Sequence, residues 1–108
     1  MAPVDAAARV RQILQEVTGV TERRMFGGIA FMLNGNMVCA VGKDHLMVRV
    51  GPDGYDDALH LPHAHEMRFT GRPMRGYVTV EAAGYGSRRA LESWLRKALA
   101  HVSTLPPK

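Results

Sequence analysis

The chain is poor in cysteine, in long apolar runs and in recognisable catalytic motifs. Its one cysteine, Cys39, cannot form a disulfide within the chain. A bridge-stapled fold is therefore excluded, and the composition suits a reducing compartment. The longest apolar run near a strand, Ile29 to Leu33, is far too short to cross a bilayer. Asp5, Arg9 and Arg11 interrupt the stretch where the apolar core of a signal peptide would lie, so the default location is cytoplasmic, with no membrane partner. Ser87, Ser93 and Ser103 all fall in or beside one expected helix, and none sits in a G-x-S-x-G setting. A Gly-rich strand-to-helix turn of the cofactor-binding kind is also missing. The sequence thus gives no catalytic residues and no cofactor.

What is present fits one globular unit. The 108 residues suffice for a single domain over 1–108, with an ordered core at about 5–102 and a frayed tail at 103–108. Hydrophobic residues make up 46%, which argues against disorder. The net charge of +4 comes from 14 basic and 10 acidic residues, and eleven of the basic ones are arginine. Arginine pairs bidentately with phosphate or carboxylate, so this balance fits either an anionic partner or a solvated surface.

Asp5 is placed to cap a helix over about 6–18, with Ala6, Val10, Ile13, Leu14 and Val17 on one stripe and Gly19 as a stop. Ile29, Phe31 and Leu33 alternate with Ala30 and Met32, as in a strand. Asn34-Gly35 signals a hairpin, because a type I′ turn needs positive φ at both central positions. Met37 to Val41 returns from it. His45 to Val50 follows, with Leu46, Val48 and Val50 facing one way and Met47 and Arg49 the other. A short helix is expected from Pro52 to about Leu59, then strands at Glu66 to Thr70 and Tyr77 to Ala82. Pro73 makes the segment between those strands a connection or an edge. Ser87 should cap a last helix over 88–102, whose stripe is Leu91, Trp94, Leu95, Ala98, Leu99 and Val102.

The expected class is α+β, in two layers. A five-stranded antiparallel sheet carries its helices mainly on one face, in the order α-β-β-β-α-β-β-α. The other face would then hold Met32 and Met47, near Arg49 and Arg68. Such a face is either ordinary core under a loop or a surface for a partner, because methionine adapts to irregular contacts.

Two segments carry a family resemblance. One is Arg24-Met25-Phe26-Gly27-Gly28 with the strand after it and the turn at Asn34-Gly35. The other is Phe69-Thr70-Gly71-Arg72-Pro73-Met74-Arg75-Gly76-Tyr77. With the Trp94-bearing helix and the closing Leu105-Pro106-Pro107-Lys108, they resemble the TfoX N-terminal domain family, in its stand-alone form. The resemblance implies a two-layer fold like that of secretion chaperones. It also implies a link to regulators of competence and transcription, in which this domain precedes a separate C-terminal one. It supplies no catalytic residues.

Three groups remain as candidate sites. His60, His63 and His65 lie within six residues and would suit zinc, with Glu66 or Asp57 as a fourth ligand; the alternative is a solvated loop. Arg23, Arg24, Arg68, Arg72 and Arg75 would form a nucleic-acid patch if they converged. Alternatively, Arg72 pairs with Asp53 or Glu81 and orders its own loop. The glycines at 27–28 are expected to serve an unusual backbone or close packing against a helix. Gly84-x-Gly86 offers either amides to an anion or a tight turn. The leading expectation is a non-enzymatic regulatory domain that binds a protein partner or itself as a homodimer. Nucleic-acid binding is the alternative.

Overall fold

The computed structural model describes residues 6–25, 28–42, 45–69 and 72–107. The expectations for Asp5, Phe26, Gly27, Thr70, Gly71 and Lys108 lie outside these residues. Those for the side chains of Met25, Arg68, Phe69, Arg72 and Pro73 lie outside the described side chains.

Helix α1 spans Ala6–Leu14 and is followed by β1 (Val20–Met25), β2 (Gly28–Leu33), β3 (Asn36–Val41) and β4 (His45–Arg49). Helix α2 is Tyr55–Leu59; β5 (Ala64–Phe69) and β6 (Arg72–Glu81) come next. A short 3-10 helix at Ala82–Tyr85 leads into α3, Arg88–Val102. The strands form one antiparallel sheet in the order β1-β2-β3-β4-β6-β5. The class is α+β as expected, but the sheet has six strands, not five.

The additional strand is β1. Its sequence, Val-Thr-Glu-Arg-Arg-Met, has three charged residues in a row and so hides any alternation. It is an edge strand, and residues 21–24 are exposed, so charge is tolerated there. Charge on an edge also discourages pairing with another sheet. A second difference concerns residues 72–76, which belong to β6 and not to a connection. Pro73 is tolerated because β4 pairs with β6 only from Tyr77 onward, which leaves the start of β6 with β5 alone beside it. Gly76, at φ +96°, sits where that change occurs: its carbonyl accepts from both Val50 N (2.8 Å) and Gly51 N (3.0 Å).

The two best local signals appear as the chemistry requires. Asn34 and Gly35 take φ of 51° and 86° and join β2 to β3. Ser87 accepts a 3.1 Å hydrogen bond from Ala90 N and opens α3. Gly28 serves close packing, but against a strand and not a helix: a Cβ there would fall on the carbonyl oxygen of Val41. The loop at Gly84 to Gly86 presents carbonyls and not amides to its charged neighbour. Arg9 donates to Tyr85 O (2.8 Å) and Gly86 O (3.1 Å), tying α1 to the start of α3.

All the helices among the described residues share one side of the sheet. Val10 and Leu14 of α1, Tyr55 and Ala58 of α2, and Leu91, Trp94, Leu95, Ala98 and Val102 of α3 enter one buried cluster. There they meet Phe31, Leu33, Val38, Cys39, Leu46, Val48, Val78 and Val80 of the sheet. Burial of this apolar surface is the main stabilising term. Val38 and Cys39 both reach this cluster because a bulge interrupts the β2–β3 register beside Phe31 and Met32.

The chain beyond α3 makes contacts with the core and with β3. Leu105 N donates to Val102 O (3.0 Å) and Leu105 packs on the core; Pro106 O accepts from Asn36 Nδ2 at 2.9 Å. Among the described residues no helix is long and apolar enough to cross a membrane.

Candidate functional site

The sheet's second side carries a separate buried cluster: Ala30, Met32, Ala40 and Met47, with Met37, Met67 and Tyr77 packed around it. Strand register explains its composition. One row across the sheet pairs Arg23 with Ala30, Ala30 with Ala40, Ala40 with Met47, Met47 with Thr79, and Thr79 with His65. The neighbouring row pairs Thr21 with Met32, Met32 with Met37, and, further along, Arg49 with Tyr77. Small alanines thus form a shallow floor, flanked by flexible thioethers from the next row. Six strands at about 4.8 Å spacing make this surface roughly 24 Å wide.

The face is largely self-covered and not greasy. Met32 and Met47 are only 9% and 5% exposed, while Met37, Met67 and Tyr77 are half-buried. Yet none of the buried helix residues joins this cluster, so among the described residues no helix roofs it. Arg49 lies over the Tyr77 ring with its guanidinium carbon 5.5 Å from the centroid. That is cation–π range, and it fixes both side chains on the surface. At the rim, His65 Nε2 meets Glu81 Oε2 at 2.7 Å. This hydrogen bond, with the imidazole's charge, holds the Glu81 carboxyl below its ordinary value.

The strands that carry the candidate arginines lie at opposite edges of the sheet. Arg23 and Arg24 sit on β1 at one edge, whereas Arg68, Arg72 and Arg75 sit on β5 and β6 at the other. Four strand spacings, about 19 Å, separate β1 from β6. Arg23 and Arg24 also point to opposite sides, as successive strand residues do. Arg75 is engaged with α2: it lies 3.5 Å from Asp56 and 5.3 Å from the Tyr55 ring centroid. A different cationic stripe runs along the outer side of α3 through Arg88, Arg89, Arg96 and Lys97. Glu92 partly neutralises it, at 2.6 Å from Arg88 and 3.7 Å from Arg96.

The histidines also diverge. The ring of His60 contacts Asp56 O at 2.7 Å and so satisfies the end of α2. His63 has φ +67° and accepts Glu81 N through its carbonyl, while His65 turns to Glu81. Among the described residues no group of three His, Cys, Asp or Glu side chains stands close enough to hold a metal ion, and His60, His63 and His65 each have separate surroundings. Cys39 is fully buried, and burial pushes its thiol up to about 12. It is therefore no nucleophile at neutral pH.

The resembling segments now have a structural place. Gly28 and Gly35 serve the β1-β2-β3 meander, Gly76 serves the β4–β6 junction, and Trp94 sits in the helix-side core. Residues 12–102 match the family model described as the TfoX N-terminal domain. The chain belongs to the TfoX N-terminal domain family. No match was found among curated proteins. The TfoX N-terminal domain is a regulator-type domain and not a known enzyme family. Sequence reasoning placed Met32, Met47 and Arg49 together but missed the alanine floor and the Arg49–Tyr77 pair. The signal available was Ala30 and Ala40, two small residues at facing positions of one hairpin.

Proposed function

We propose that this TfoX N-terminal domain acts as a non-catalytic adaptor in regulation, in the setting of competence or transcription control that its family suggests. It docks one protein partner on the methionine-lined second side of its sheet. The observation that carries this reading is the pairing of Met37, Met67, Tyr77 and Arg49 on a sheet side that no described helix covers. Methionine, tyrosine and arginine are the residue types enriched in interface cores. Thioethers adapt to a partner's shape without a fixed pocket.

Charge argues for a different protein over a second copy. Arg23 and Arg49 lie on this side, and Glu81 is engaged by His65. A two-fold dimer would bring the cationic groups together, whereas an acidic-rimmed partner would complement them. The test is affinity capture by the full chain and by an Arg49→Ala/Tyr77→Ala double variant, with light scattering on each. The reading expects a monomer, and a specific partner kept by the parent chain and lost by a variant that remains folded. Equal retention by both, or a tight dimer that the variant does not disturb, contradicts it.

A further inference from the structure

A second concave surface lies away from the methionine face, between α2 and the C-terminal half of α3. It is an open cleft with a volume of about 460 Å³. Small-molecule sites span roughly 300–1,000 Å³, so the size is appropriate. Its apolar lining is Val50, Ala58, Leu61 and Ala100. Leu61 is 36% exposed, the one large hydrophobic side chain so exposed among the described residues.

The polar lining is divided between carboxylates and nitrogen groups. Asp53 and Asp57 come from the α2 side; Lys97 and His101 come from α3. Among the described residues none of the four side chains is in an ion pair, with each other or with any other group. Gly51, at φ +83°, leaves room for the His101 ring: a Cβ on Gly51 would collide with it. The backbone thus seats His101 at the rim of the cleft.

We propose that this cleft binds a short unblocked peptide with apolar side chains, of about dipeptide length. Its α-ammonium faces Asp53 and Asp57, its α-carboxylate faces Lys97 and His101, and its side chains lie on Leu61 and Ala58. A free amino acid fits less well, because it would leave more of the 460 Å³ empty than a dipeptide does. The ends of an extended dipeptide stand roughly 7 Å apart, at 3.3–3.6 Å per residue.

The test is a titration of the ¹⁵N-labelled full chain with Leu-Leu, followed by amide NMR. Saturable shifts are expected at residues 50–61 and 97–101. Capping both ends of the peptide, as N-acetyl-Leu-Leu-amide, should weaken binding about tenfold or more, as should Asp57→Asn or Lys97→Gln, since a charge-assisted hydrogen bond is worth about a tenfold change in affinity. No saturable shift at millimolar Leu-Leu overturns the proposal. So do shifts centred elsewhere, equal binding of the capped peptide, or variants that stay folded and bind as the parent does. The capped-peptide comparison uses the unaltered chain and needs no variant to fold.

Discussion

The side-chain amide of Asn36 donates to the carbonyl of Pro106 at 2.9 Å, joining the start of β3 to the segment beyond α3. Asn36 is 3% exposed and is the buried polar side chain among the described residues. The bond satisfies a group that would otherwise be desolvated without a partner, and it brings Leu105 down onto the core. Truncation after Ser103 removes the acceptor. It should destabilise the fold by about 1–3 kcal/mol, measured by urea unfolding. Asn36→Ala should have a smaller effect, because it removes donor and desolvation cost together. No difference between the truncated and full chains would show that the contact is idle.

Gly28 and Gly76 separate two reasons for glycine. At Gly28 a Cβ would meet the backbone oxygen of Val41, which cannot move aside without disturbing β3. At Gly76 the nearest atom would be 3.4 Å away, and only the φ of +96° opposes a side chain. Gly76→Ala should therefore lose about 1–2 kcal/mol, the usual left-handed penalty, and Gly28→Ala should lose more. Thermal unfolding of the two variants gives the order directly, and the reverse order would contradict the packing described for β2 and β3.

Cys39 links burial to pH. Its thiol is raised from 9.0 to about 12 by desolvation. A group with a raised folded value contributes stability in full below its unfolded value and loses it as pH climbs toward the folded one. Between 9 and 12 the unfolded thiol ionises while the folded one does not, so unfolding is favoured. At one unit above the ordinary value this amounts to roughly 1.4 kcal/mol. Cys39→Ala should flatten that part of the pH profile. In the native protein at pH 8, alkylation of Cys39 should be no faster than unfolding, as read by mass spectrometry with and without urea.

Two carboxylates act in the opposite direction. The Arg11 hydrogen bond, at 2.6 Å, lowers Glu22, and the His65 hydrogen bond lowers Glu81. A lowered folded value means stability present above the ordinary 4.5 and lost as pH falls below it. Both pairs are exposed, so the effect is small and salt-sensitive. Acid unfolding midpoints should fall slightly closer together for Glu22→Gln and the parent chain as salt is raised.

Much of this fold is legible in the sequence where local chemistry decides it. Ser87 opens α3, Asn34-Gly35 turns the first hairpin, and the alternation at Leu46 to Val50 assigns sides correctly. β1 is not legible, because an edge strand with exposed charge has no apolar period to display. The division of the arginines follows from strand order, which is set by pairings far apart in the chain. His63 takes a positive φ that no glycine announces. The cleft at Leu61 joins α2 to α3 across some forty positions of sequence, so spacing could not reveal it.

The docking claim is tested most directly by methyl NMR of methionine-labelled full chain with the captured partner. The expected result is that the methyls of Met37, Met67 and Met47 shift, together with Tyr77, while the indole N–H of Trp94 on the helix side stays in place. Shifts concentrated at Trp94 and α3, with those methyls unmoved, would contradict it.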